Sequence, residues 1–128
     1  MSRHIITTDR APRAIGPYSQ GVQVGNLIYT AGQGPIDPAT GQPITGSIEE
    51  QTRQTLRNIE AILEAAGCTM ADVVKTTVFL VDMNDFKAMN SVYAEFFPLA
   101  PPARSTVQVS ALPLGMRIEI EAIAFKAI

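Results

Sequence analysis

Two charged residues in the C-terminal quarter carry most of the chemistry that this chain could do. Arg104 follows Pro101-Pro102-Ala103 at the expected start of a strand, where a guanidinium can project into a cavity at a sheet edge. Its planar fork of N–H donors fits a carboxylate bidentately and fixes charge and orientation together. On position alone, a surface arginine paired with an acid is the commoner case. Glu119, an inward residue on a strand beside that arginine, could position or deprotonate a water. A structural ion pair or a solvated strand residue is the competing reading. Tyr18 offers either an aromatic wall with a polar tip or plain packing. Nothing local separates Asn90 from an ordinary solvated helix residue, and Cys68, without cationic neighbours in sequence, reads as an inert thiol.

What is missing narrows the chemistry further. His4, the only histidine, sits near the N-terminus and leaves a Ser-His-Asp or Cys-His arrangement without a centre. One His and one Cys argue against a nitrogen and sulfur metal site, while oxygen-only sites stay open. Gly32-Gln33-Gly34-Pro35 is neither a phosphate-binding P-loop nor a dinucleotide fingerprint, and no helix follows it directly. Ten Lys and Arg against twelve Asp and Glu give a net charge of -2, with no run of cations to serve as a nucleic-acid footprint. The single cysteine rules out an intramolecular disulfide and fits a reducing compartment. No signal peptide or membrane-length apolar run is apparent, so the expectation is a soluble cytoplasmic protein with neither membrane nor nucleic-acid partners. At 128 residues, 46% of them hydrophobic, residues 1–128 are expected to form one domain.

The elements that must position these residues follow from pattern. Val22 and Val24 alternate with polar residues, Leu27 to Thr30 are strand formers, and Gly25-Asn26 between them suits a two-residue hairpin turn. The stretch from Gly32 to Gly41 reads as a loop of turn residues. Ser47-Ile48-Glu49-Glu50 is a capping box and Gly67 a C-terminal glycine, predicting a helix with Ile48, Thr52, Thr55, Leu56, Ile59, Leu63 and Ala66 as its buried stripe. A central strand over 73–81 is dense in β-branched residues. Asp82 to Asn84 can cap a second helix that buries Phe86, Met89, Val92 or Tyr93, and Phe96, and that Pro98, Pro101 and Pro102 stop. Strands over 104–109 and 117–125 close the chain. The result is an α+β layer: one mixed sheet with both helices on one face. Alternation places Glu119 and Glu121 opposite Ile118 and Ile120, and the sheet face away from the helices is too apolar to stay wet. Self-association would cover it and leave a cavity at its edge.

The run Pro102-Ala103-Arg104-Ser105-Thr106-Val107-Gln108-Val109, with Leu112-Pro113 and Ile118-Glu119-Ile120-Glu121-Ala122 behind it, resembles the signature of the RidA (YjgF) family. So do Ile15-Gly16-Pro17-Tyr18-Ser19-Gln20-Gly21, Thr30-Ala31-Gly32-Gln33, Gly67 with Val74 to Leu80, and Asn84-Asp85-Phe86 through Asn90. The resemblance spans about residues 15–125, in order and spacing. It implies a chorismate-mutase-like α+β fold and a homotrimer with sites between subunits. It also implies cofactor-free hydrolysis of reactive 2-imino acids, formed from enamines such as 2-aminoacrylate and 2-aminocrotonate, to 2-keto acids and ammonia. By this resemblance Arg104 binds the substrate carboxylate and Glu119 handles water. Backbone groups at Gly32 and Thr106 place the water and the imine nitrogen, which implies that substitutions there are partly tolerated, while Tyr18, Asn90 and Ala31 shape the pocket. Thr106 stands where many members have cysteine, and Ala31 where many have serine, which leaves rate and preference open. The rival readings are a non-catalytic trimeric binder of small carboxylates, a deaminase specialised for another small amine, and a chaperone-like or translation-inhibiting ribonuclease.

Overall fold

β-Branched and aromatic runs with alternating burial build most of a six-stranded sheet. The computed structural model describes residues 2–127. Its strands are β1 (Arg3–Ile6), β2 (Gly21–Val24), β3 (Leu27–Thr30), β6 (Val73–Leu80), β7 (Ala103–Gln108) and β8 (Ile118–Phe125), arranged β1-β2-β3-β8-β6-β7. All pairs are antiparallel except β6 with β7. That parallel pair needs a crossover, supplied by helix α2 (Phe86–Phe96). Helix α1 (Ile48–Ala65) lies beside α2 on the same face of the sheet. Among the described residues no helix is long and apolar enough to cross a membrane.

The local signals act as expected at several points. Ser47 accepts from the Glu50 backbone N–H at 3.1 Å, completing the capping box. At the other end Gly67 takes φ +83°, its N–H reaching the Glu64 carbonyl and the Cys68 N–H reaching that of Leu63, a Schellman closure that only a left-handed residue allows. All seven residues expected to line the buried stripe of α1 are buried. Val24 pairs with Leu27 across Gly25-Asn26, and Gly25 carries the positive φ. On α2 both Val92 and Tyr93 are buried, with Met89, while Phe86 and Phe96 pack at the margin.

Two expectations change. The N-terminal residues 3–6 form a strand, β1, on the sheet edge beyond β2. The stretch from Gly32 to Gly41 is not all loop: β4 (Ile36–Asp37) pairs with β5 (Gln42–Pro43) as a separate two-stranded ribbon, so the architecture is a main mixed sheet plus this excursion. Its base is tied down by Asn58 of α1, whose amide donates to the carbonyls of Gly34 and Ile36. Gln33 then bridges to Ile120 through two backbone hydrogen bonds, holding the start of the excursion against β8. The core lies between the helices and the inner face, around Ile28, Leu56, Ile59, Ile62, Val78, Leu80, Met89, Ile118 and Ile120.

Candidate active site

Arg104 is the second residue of β7, in register with Thr76 on β6. Neighbours in a parallel pair share a face, and Thr76 is buried under the helices, so Arg104 projects toward α2. Its guanidinium carbon sits 4.7 Å from the centroid of the Tyr93 ring and 5.5 Å from that of Phe86. Phe86, Asn90 and Tyr93 recur at i, i+4 and i+7 on α2 and so form one stripe facing the cation. Among the described residues Arg104 forms no ion pair. The acids at the two ends of α2 are taken by other arginines: Asp85 by Arg117 at 2.8 Å and Glu95 by Arg53 at 3.1 Å. The paired-surface reading of Arg104 therefore falls, and among the described residues no acceptor takes its donors.

Polar atoms without partners gather on the same elements. The Oγ1 of Thr106, two residues along β7 from Arg104, and the Oδ1 of Asn90 are buried and unbonded, as is the second oxygen of Asp85. Burying polar atoms unpaired is costly, and such atoms usually mark a place where a ligand or water completes the bonding. Asn90 is thus not a solvated helix residue. Asp85, Phe86, Tyr93 and Thr76 were missed as neighbours of the site in the sequence. The i, i+4, i+7 spacing on α2 was the one signal available for Phe86 and Tyr93.

Glu119 lies elsewhere. It pairs with Phe79 and points to the open sheet face, while Arg104 points to the helical one, with β6 between their strands. The expectation that the glutamate stands beside the arginine is wrong within one chain. Its carboxylate rests against Gly32, where an added Cβ would lie 2.4 Å from Oε2. Burial first, and the neighbouring Glu121 charge second, hold the Glu119 carboxyl above the ordinary glutamate range. Ala31 is held in line by its N–H bond to the Gln20 carbonyl, and the Gln20 side chain in turn grips residues 8–12. Tyr18, half exposed, lines a cleft of about 270 Å³ with Ile5, Asp9 and Arg13. Within one chain the seven residues therefore separate: Arg104, Thr106 and Asn90 gather at the β7–α2 edge, Glu119 and Gly32 meet on the open face at the interior strand β8, Ala31 adjoins Gly32, and Tyr18 lines its own cleft beside β1.

Other groups stay outside these. Cys68 is buried, and its thiol is pushed up chiefly by that burial, which agrees with an inert side chain. His4 is on β1, at the opposite sheet edge from Arg104. Among the described residues no three His, Cys, Asp or Glu side chains come together in a way that could hold a metal ion.

Residues 8–126 match the family model described as Endoribonuclease L-PSP. Over 124 residues the chain is 57% identical to a RutC family protein of Pyrococcus horikoshii, covering 97% of this chain and 98% of that one. It is 53% identical over 122 residues to the 2-iminobutanoate/2-iminopropanoate deaminase of Mus musculus, covering 95% and 90%. The solved structure of E. coli TdcF with bound serine matches with a TM-score of 0.93 at 47% identity, covering 97% of this chain and 99% of that one.

Proposed function

This chain belongs to the Endoribonuclease L-PSP family, also called YjgF or RidA, and on that premise we propose that it hydrolyses reactive 2-imino acids to 2-keto acids and ammonia. The substrates are the imino forms of enamines such as 2-aminoacrylate and 2-aminocrotonate, by-products of pyridoxal-phosphate enzymes. The observation that carries this reading is the unpaired Arg104 guanidinium, held against two aromatic rings with its donors unspent. Support comes from relatives named as deaminases at 51–55% identity over nearly the whole chain. A close structural relative holds serine, a small molecule with the same carboxylate.

The chemistry asks little of the protein. A protonated imine carbon is already electrophilic, so water adds to it, the carbinolamine collapses, and the C–N bond breaks to leave keto acid and ammonium. Arg104 anchors the carboxylate. Glu119 takes a proton from the attacking water and returns it to the departing nitrogen, while backbone groups at Gly32 and Thr106 place the water and the imine nitrogen. Asn90, Tyr18 and Ala31 line the pocket, and no cofactor takes part.

One chain cannot bring these groups to one substrate. Two strand spacings and a three-residue offset separate the Arg104 and Glu119 backbones by roughly 10 Å in each direction, on opposite faces. In an imino acid the carboxylate and the reacting carbon are adjacent. That separation supports a site shared between copies, and with the family resemblance it gives a homotrimer in which the β7–α2 edge of one copy meets the Glu119 side of the next.

The test is to generate 2-aminoacrylate and longer homologues with a dehydratase or an amino-acid oxidase and follow keto-acid release with wild type, Arg104→Ala and Glu119→Ala. Wild type should accelerate release over buffer, and Arg104→Ala should lose about 1.5–3 kcal/mol of transition-state binding, roughly ten- to a hundred-and-fifty-fold in kcat/KM. No acceleration by wild type overturns the deaminase reading; tight binding of 2-keto acids without turnover would point to the carboxylate binder instead.

A further inference from the structure

We infer that Tyr93, pinned by Thr76, is the positioning residue that keeps Arg104 aimed and un-neutralised, an inference that rests on reading Arg104 as the carboxylate anchor. A binding arginine poses a design problem. Its long side chain must be immobilised, yet the usual device, a carboxylate partner, would occupy the fork and cancel the charge meant for the substrate. An aromatic face avoids both costs. It attracts the cation through its quadrupole and leaves the in-plane N–H donors free.

Such a face helps only if it is itself fixed, and here two contacts fix it. The Tyr93 hydroxyl shares a buried hydrogen bond of 2.7 Å with Thr76 Oγ1. Phe97 packs against the ring at a centroid distance of 4.6 Å, tilted by 42°. Tyr93 is 6% exposed and Thr76 1% exposed, so water does not compete for the hydroxyl pair. Thr76 is also the residue in register with Arg104 across β6 and β7, so pin and cation hang from adjacent strand positions. The path from Arg104 across the strand pair to Thr76, through the hydroxyl bond to Tyr93 and back over the ring to the guanidinium closes on itself. Phe86 adds the second, more distant face.

The experiment measures kcat and KM for the imino acid, and equilibrium binding of 2-oxobutanoate, for Tyr93→Phe, Thr76→Val and Tyr93→Leu, each also combined with Arg104→Ala. Tyr93→Phe and Thr76→Val keep the ring but lose the pin, and should raise KM and weaken 2-oxobutanoate binding about two- to fivefold with kcat little changed. Tyr93→Leu removes the face and should cost about tenfold in kcat/KM. In the Arg104→Ala background the same changes should cost nothing further, because what they position is gone. A merely structural role would lower activity in both backgrounds alike. Multiplying losses, or unchanged KM and binding in Tyr93→Phe and Thr76→Val, overturns the inference whether or not Tyr93→Leu folds. If wild type neither turns over imines nor binds 2-oxobutanoate, the anchor reading fails first and this inference with it.

Discussion

Gly32 and Glu119 show how one residue can act through another's position. By the main-chain role that resemblance suggested, Gly32 should tolerate substitution in part. The contact says otherwise, because a Cβ there would meet Glu119 at 2.4 Å from Oε2 and 2.7 Å from Cδ. A flexible carboxylate end gives way more cheaply than backbone, so Gly32→Ala should swing Glu119 aside and leave the fold intact. The expected outcome is a rate close to that of Glu119→Ala with a melting temperature near wild type, read from paired kinetics and thermal unfolding. The proton affinity of Glu119 gives a second prediction. Its carboxyl is raised by burial and by Glu121, so the folded protein holds this proton at pH values where the unfolded chain has lost it. Ionising Glu119 therefore destabilises the fold above that pKa, a cost relieved as pH falls through it. A base must be ionised, so where burial and Glu121 outweigh the Arg104 guanidinium of the adjoining copy, the acid limb of kcat/KM should lie above the ordinary glutamate value. Glu121→Gln should move that limb to lower pH, and a limb that stays put would show that another group titrates.

At the scale of elements, legibility followed locality. The helix α1 was readable because its start, stop and buried stripe are all written within its own sequence. Ser47→Ala should lower stability by about 1 kcal/mol in urea unfolding without changing the rate, since the cap lies away from the site residues. The strand β8 was readable because Ile118, Ile120, Ala122 and Ala124 alternate with outward residues, and these four are buried as that pattern requires. The strand β1 was not. Arg3 to Ile6 has too few alternating residues to announce a strand, and it becomes one only by pairing with β2. The β4–β5 ribbon was missed for the same reason: two-residue strands are defined by their partner, and Pro43 argues against a strand until Ile36 is beside it.

For the whole molecule the open sheet face is decisive. Ile5, Leu27, Tyr29, Val107 and Phe125 stand exposed on it around a shallow depression of about 330 Å³ that includes Lys75 and Glu121. An apolar surface of this kind is normally covered by another chain. Light scattering at micromolar concentration should give three times the chain mass of 13.8 kDa, and Tyr29→Glu should lower both the mass and the activity. The split between Arg104 and Glu119 allows a sharper test. Mixing unfolded Arg104→Ala and Glu119→Ala and refolding them together should restore about a quarter of the wild-type rate, the share of interfaces at which both intact groups meet by random assembly. No recovery would mean that the two groups do not serve one site across copies.

By itself the sequence determined the elements whose signals are contiguous: the capped helix, the Gly25 hairpin, the alternation of β8, and the motif that singles out Arg104 and Glu119. It could not show on which side of the sheet each of those two residues emerges relative to the other, because that depends on the register of β6 with β7 and of β6 with β8. Nor could it show that Arg104 is left without an acid. Asp85 is spent on Arg117, thirty-two positions away, and Glu95 on Arg53, forty-two away. Only the folded arrangement allots those partners, and in doing so leaves Arg104 resting on aromatic rings with no acid paired to it among the described residues.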